Sequence, residues 1–291
     1  MKKLVFGGGY LGERVARRWQ EQGAEVHVVT RSVARAADFA TQGFFPHVAN
    51  INNPKTLAGL PPVETVLFAV GYDRSSSRSI QEVYEKGLQN VLAALPEETK
   101  HVVYISSTGV YGDAQGEWVD ERTPPAPHRP GGKASLAAEQ VLTEHSLGSS
   151  SAILRLAGIY GPGRVPHLEK ILQGESLRVP SESLLNLIHV EDAADVVLAT
   201  EKWLPKAETR QHPALFCVSD GHPVARHDFY TEIARLVERP TPRFESPDPQ
   251  SPVASRAQAN KKVSNRQLIE TFNLELTYPT YQTGLAAILG S

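Results

Sequence analysis

Gly7, Gly9 and Gly12 stand in G-x-G-x-x-G spacing, and the chemistry this spacing serves is the cradling of a pyrophosphate. Gly7 permits a tight turn, Gly9 lets the backbone approach the phosphates, and Gly12 lets a helix pack closely on a strand. Gly8, Tyr10 and Leu11 complete the loop, and free N–H groups at the helix start face the anion. A second set follows roughly 20 residues later, where a dinucleotide site carries its ribose-binding acid. Here Val28-Val29-Thr30-Arg31-Ser32 puts Thr30 in the acid's place, with a guanidinium directly after it. Arg31 suits a 2′-phosphate, Ser32 can donate a hydrogen bond to it, and Arg35 adds charge one turn on. The expected cofactor is NADP, in preference to NAD.

Alternating elements must position these groups. Lys3-Leu4-Val5-Phe6 is a short apolar strand. Leu11, Val15, Ala16 and Trp19 then recur at helical spacing, with Glu13, Arg14, Arg17 and Arg18 on a solvated face. Glu25–Thr30 reads as a strand, and Ser32 caps a helix to Gln42. Phe44–Val48 reads as a short strand and Pro54–Ala58 as a brief helical piece. Thr65–Val70 is a buried strand ending at Gly71, and Ser79–Leu95 is a helix closed by Pro96. His101–Ser106 and Ala152–Leu156 are further strands, flanking a helix over Gly132–His145. Apolar strands alternating with helices imply a parallel sheet covered on both faces. The predicted class is therefore α/β, a Rossmann doubly wound sheet. Asp73–Arg78 is a polar loop at a strand end, facing the ligand edge of such a sheet. Arg239–Pro252 is proline-dense and reads as an extended surface loop, with helices after it at about Ser264–Phe272 and Tyr281–Leu289.

The totals narrow the class. A chain of 291 residues makes one large or two intimate domains. A net charge of −2 implies no polybasic surface, so neither nucleic acid nor membrane is an expected partner. Cys217 is the single cysteine, which excludes an internal disulfide and suits the cytoplasm. The ten histidines form no H-x-x-x-H or H-x-x-H pair, so no metal site is expected. No apolar run approaches the eighteen or so residues of a membrane span.

Ile105-Ser106-Ser107-Thr108-Gly109-Val110-Tyr111-Gly112-Asp113 resembles the S-S-x-x-V-Y-G motif of extended short-chain dehydrogenases, the nucleotide-sugar epimerase/dehydratase superfamily. Leu136-Ala137-Ala138-Glu139, Arg155 to Gly163 (RLAGIYGPG), Asn186 to Ala194 (NLIHVEDAA) and Lys262-Val263-Ser264-Asn265 resemble its later segments, in order. The resemblance implies a cofactor domain over residues 1–163, to which 186–218 returns, and a smaller C-terminal substrate domain, mainly 164–291. It implies that Ser107 hydrogen-bonds the substrate oxygen at the carbon exchanging hydride, with Thr108 beside it. Ala69, Val70, Gly71, Ser106, Leu156 and Gly158 complete the expected cofactor set. Many relatives dimerise through two helices, matched here by Ser79–Leu95 and Gly132–His145, so a homodimer is possible.

The family's Tyr-x-x-x-Lys pair is missing. Counting back from Leu136, the lysine position holds Ser135 and the tyrosine position holds Gly131. Lys133 is two residues out of register, about 200° round a helix. If Pro130-Gly131-Gly132 keeps this stretch non-helical, Lys133 reaches the ribose. Other acid/base candidates are Tyr111, Tyr160, Tyr72, Asp73, His189 and Asp192. On the substrate side stand Tyr72, Tyr160, His189 and Arg164, the last directly after Gly161-Pro162-Gly163. Two functions follow: an NADP-preferring oxidoreductase, epimerase or dehydratase on a small nucleotide-sugar or carbonyl substrate, or an NADP(H)-binding sensor without hydride chemistry.

Overall fold

The computed structural model describes residues 1–75, 77–207, 210–248 and 259–290. The chain alternates strand and helix as the apolar pattern requires: β1 (Lys2–Phe6), α1 (Gly12–Glu21), β2 (Glu25–Thr30), α2 (Val33–Thr41), β3 (Phe45–Val48), β4 (Thr65–Phe68). Then follow α3 (Gly87–Ala94), β5 (His101–Ser107), α4 (Pro130–Glu144), β6 (Ala152–Leu156) and β7 (Ala214–Val218). These strands form one sheet in the order β7-β6-β5-β4-β1-β2-β3. β1 pairs with β2 and β4, β2 with β3, and β4 with β5, all parallel. The order turns back at β1, so β1 and β4 flank the topological switch point of a doubly wound sheet.

The sheet's inner strands are buried on both faces, as continuous apolar runs demand. Leu4, Phe6, Val66, Phe68, Val102 and Tyr104 join Leu88, Val91 and Leu92 of α3 and Ala138 and Leu142 of α4 in one cluster. Fully burying each such large side chain stabilises the fold by about 1.5–3 kcal/mol. On α1, Val15, Ala16 and Trp19 form the buried stripe. On α2, Ser32 accepts from the Arg35 N–H at 3.2 Å and caps the helix. The long helix expected from Ser79 is interrupted by a π turn over Glu82–Lys86. Gly87 follows it at a close approach, where a Cβ would lie 2.6 Å from Ile51 Cδ1.

The described chain forms two compact units. The first comprises Met1–Ser107, Pro130–Arg155 and Ala194–Phe216; the second comprises Thr108–Arg129, Leu156–Ala193 and Cys217–Ser291. This division is more interleaved than 1–163 with a return over 186–218, since Thr108–Arg129 belongs to the second unit. Gly158–Tyr160 pairs in parallel with Leu187–His189 in a separate small sheet, so Asn186–His189 does not return to the main sheet, whereas Ala214–Val218 does. The second unit holds three more two-stranded pieces: Leu184–Leu185 with Val224–Ala225, Leu177–Arg178 with Phe244–Glu245, and Trp118–Val119 with Lys262–Val263. Its core gathers Tyr160, Leu177, Leu187, Phe229, Ile233 and Leu285. The proline-dense stretch contains the strand Phe244–Glu245, and its residues 249–252 lie outside the described residues. Among the described residues, no helix is long and apolar enough to cross a membrane.

Candidate functional site

A cleft of about 370 Å³ opens in the first unit at the carboxyl ends of β1, β2 and β4. This is where ligands bind in an open α/β sheet, outside the strand ends at the switch point. Gly7, Gly8 and Gly9 line one side, Thr30 and Arg31 another, and Ala69, Val70 and Gly71 a third. The loop is built as its glycines require. Gly7 has φ +94°, and a Cβ on it would lie 2.4 Å from the Ala69 carbonyl oxygen. A Cβ on Gly12 would lie 2.1 Å from the Gly7 oxygen. Gly9 is exposed, with nothing within 4 Å of its Cβ position, so its backbone is open to a ligand. The Gly9 carbonyl accepts from Glu13 N at 3.0 Å, which sets the N-terminus of α1 directly behind the loop. These features fit a dinucleotide pyrophosphate. Gly12→Ala is expected to weaken dinucleotide binding at least tenfold, about 1.4 kcal/mol or more, by calorimetric titration, because backbone must move to admit the methyl group. Unchanged affinity would remove the loop from the site.

At the other rim, Arg31 is exposed and pairs with Asp73, Nη2 to Oδ2 3.3 Å. Thr30 Oγ1 accepts from Ser32 N at 3.2 Å, and the Ser32 oxygen is the cap of α2, which leaves its proton free to donate. Arg35 does not line the cleft: its guanidinium pairs with Glu13 and lies 4.5 Å from the Phe39 ring centre. Tyr72, expected on the substrate side, lines this cleft and donates to the Arg78 carbonyl at 2.9 Å. Tyr10, Leu11 and Gly12 of the loop and Ser32, next to Arg31, are not among the cleft's lining residues. Tyr10 carries the Arg14 guanidinium 4.3 Å above its ring, and Leu11 and Gly12 are buried.

The serine motif closes β5. Ser106 is buried and donates to Glu139 Oε1 at 2.5 Å. Glu139 in turn receives Arg155 Nε at 3.0 Å and Nη2 at 2.6 Å. The Tyr104 hydroxyl bonds Ser135 and Ser106, and burial holds its pKa far above the ordinary phenol value. Ser107 is half-buried at the strand end, and Thr108 is buried at the start of a 3₁₀ turn. The stretch around Lys133 is not extended. α4 starts at Pro130, since proline is accepted in a first turn, and the residues after it are helical. Lys133 is exposed while Ser135 is 3% exposed, so the helix turns the lysine away from the Ser135 side. The non-helical path that would bring Lys133 to a ribose is thereby withdrawn.

Residues 3–208 match the model of the NAD dependent epimerase/dehydratase family. The chain belongs to this epimerase/dehydratase family. It is 31% identical over 252 residues to Protein YeeZ of Escherichia coli K12, covering 84% of this chain and 87% of that one. Among solved structures, a functionally unknown conserved protein from Silicibacter pomeroyi superposes with a TM-score of 0.77 at 28% identity, over 99% of this chain and 98% of that one. UDP-glucose 4-epimerase from Thermotoga maritima, solved with UDP-glucose, shares the fold with a TM-score of 0.80 at 18% identity, over 100% and 98% of the chains.

Several candidates of this epimerase/dehydratase chain lie in the second unit as packing groups. Tyr160 is fully buried, with its ring 5.3 Å from His189 and 6.2 Å from Phe229. Burial raises its hydroxyl's pKa, and it has no surface to offer a substrate. His189 is 2% exposed; its Nδ1 accepts from Glu191 N at 3.3 Å and its ring lies 3.9 Å from Tyr278. Asp192 accepts from the N–H groups of Thr277 and Tyr278 at 2.8 and 3.0 Å. Tyr111 is 2% exposed and bonds Cys217 Sγ at 2.9 Å. Tyr160, His189 and Tyr111, expected as acid/base or substrate candidates, thus pack their rings inside the unit. Arg164 is exposed on a tight turn closed by mutual backbone bonds with Gly161. Leu156 is buried, Gly158 donates to the Asn186 carbonyl at 2.9 Å, and neither lines the cleft. Asn50, Ile51, Asn52 and Val83, absent from the set expected from sequence, also line the cleft. Asn52 Oδ1 is buried there without a hydrogen-bond partner among the described residues. The signal was present: Asn50-Ile51-Asn52 follows β3 as Ala69-Val70-Gly71 follows β4.

Proposed function

We propose that this chain binds NADP(H) in the first-unit cleft and acts as an oxidoreductase of the epimerase/dehydratase kind, on a nucleotide-sugar or related small hydroxyl or carbonyl compound. The observation that carries the reading is the glycine loop, with Gly9 open to the cleft, and at its rim Thr30 in the acid's place with Arg31 directly after it. Bound NADP supplies hydride exchange. The chain's own groups bind and orient: the loop N–H groups hold the pyrophosphate, and Arg31 with Ser32 holds the 2′-phosphate. Ser107 donates a hydrogen bond to the substrate oxygen, with Thr108 beside it. Gly131 and Ser135 leave the usual tyrosine and lysine roles to other groups. The first unit is assigned to the cofactor and the second, with Arg164, to the substrate. A cytoplasmic homodimer packing α3 and α4 completes the reading.

The absence of the tyrosine and lysine favours one further reading, an NADP(H)-binding sensor without turnover. A panel of nucleotide-sugars and small carbonyls separates the two. Cofactor-dependent product formation, lost on Ser107→Ala with NADP affinity kept, supports the enzyme. Tight NADP binding with no turnover across the panel rejects it in favour of the sensor.

A further inference from the structure

We propose that Asp73 sets how strongly the cleft prefers NADP, by holding Arg31 and competing with a 2′-phosphate for it. The inference rests on the NADP reading above. Arg31 follows β2 and Asp73 lies in the loop after β4; the two meet across the cleft that both line. The carboxylate is fixed before any ligand arrives. Its Oδ1 accepts from Ser75 N at 3.0 Å and from Ser75 Oγ at 2.6 Å, while Oδ2 takes Arg31 Nη2 at 3.3 Å. The Ser75 bonds first, and Arg31 after them, hold its pKa below the usual carboxylate range, so it is charged at neutral pH.

A 2′-phosphate carries close to two negative charges at pH 7. To use Arg31 it must displace Asp73 and then lie beside a like charge. A ribose 2′-hydroxyl meets no such penalty and can donate to the carboxylate. Asp73 therefore weakens NADP selectively and leaves NAD untouched or favoured. Arg35 does not relieve the competition, because Glu13 engages it. Arg31 and Asp73 are both largely exposed, so solvent and salt keep the effect modest.

Calorimetric titration of the full chain with NADP⁺ and NAD⁺ tests this in wild type, Asp73→Asn and Arg31→Glu. Asparagine keeps Oδ1 as the turn's acceptor, so the loop conformation is retained. Asp73→Asn is expected to bind NADP⁺ about fivefold tighter at low salt, with NAD⁺ unchanged or weaker and the gain shrinking at high salt. Unchanged NADP⁺ affinity in Asp73→Asn, or equal weakening of both cofactors, overturns the inference while a large NADP⁺ loss in Arg31→Glu leaves the cofactor reading standing. No NADP⁺ loss in Arg31→Glu overturns both.

Discussion

Arg155→Ala is expected to destabilise the protein by about 3–5 kcal/mol, the usual result of breaking a buried ion pair from one side. Arg155 and Glu139 have side-chain exposures of 5% and 6%, and the guanidinium grips the carboxylate with two nitrogens. Removing it strands a buried carboxylate that still holds Ser106. The network continues to the Tyr104 hydroxyl and Ser135, so a gap on β6 loosens β5 and α4 together. The pair's own net value is smaller than this loss, because desolvating both charges offsets much of their attraction. A double replacement, Glu139→Leu with Arg155→Met, is therefore expected to lose less stability than Arg155→Ala alone. Urea unfolding of the three proteins measures both effects. A loss below about 1 kcal/mol for Arg155→Ala would mean that solvent reaches the pair.

Asp220→Asn is expected to stabilise the protein at alkaline pH. Asp220 is 3% exposed, its Oδ1 accepts from His222 N at 2.9 Å, and its Oδ2 is buried without a partner. Burial pushes its pKa up to about 7, with nearby Asp192 adding to the rise and His222 opposing it. A carboxyl raised above its unfolded value of 3.8 favours the fold fully below that value. The contribution is lost as pH rises through about 7, because the folded state must then hold an unsatisfied charge. The gap between 3.8 and about 7 corresponds to about 4 kcal/mol. At about pH 8.5 the amide variant should recover a large part of this, and near pH 4 the two proteins should converge. An Asp220→Asn protein less stable than wild type at both pH values would show that the ionised carboxylate is satisfied.

The sheet was legible because its signals are local. β1 and α1 announce themselves by apolar runs, helical spacing and the glycines between them. Ser32 signals the start of α2 by its own capping chemistry. The second unit was not legible in the same way. Its strands are mostly two or three residues long, such as Trp118–Val119 with Lys262–Val263, and they exist only through pairings distant in sequence. No periodicity can develop over two residues. Pro130-Gly131-Gly132 reads as a helix breaker, yet proline in a first turn costs no hydrogen bond, and the helix that follows carries Lys133 away. Tyr160 stands in a recognisable family segment, but a tyrosine's identity does not say whether its ring faces solvent. Only the fold shows Gly284 opposite it, where a Cβ would lie 2.1 Å from the Tyr160 hydroxyl oxygen. The Arg31–Asp73 pair joins residues 42 apart and leaves no mark on either local pattern.

In the function proposed above, the first-unit cleft holds NADP through its glycine loop and Arg31. Equilibrium titration of the wild-type chain with NADP⁺ and NAD⁺ tests it most directly. NADP⁺ is expected to bind at least tenfold tighter, a difference of about 1.4 kcal/mol. Equal or tighter binding of NAD⁺ would contradict it.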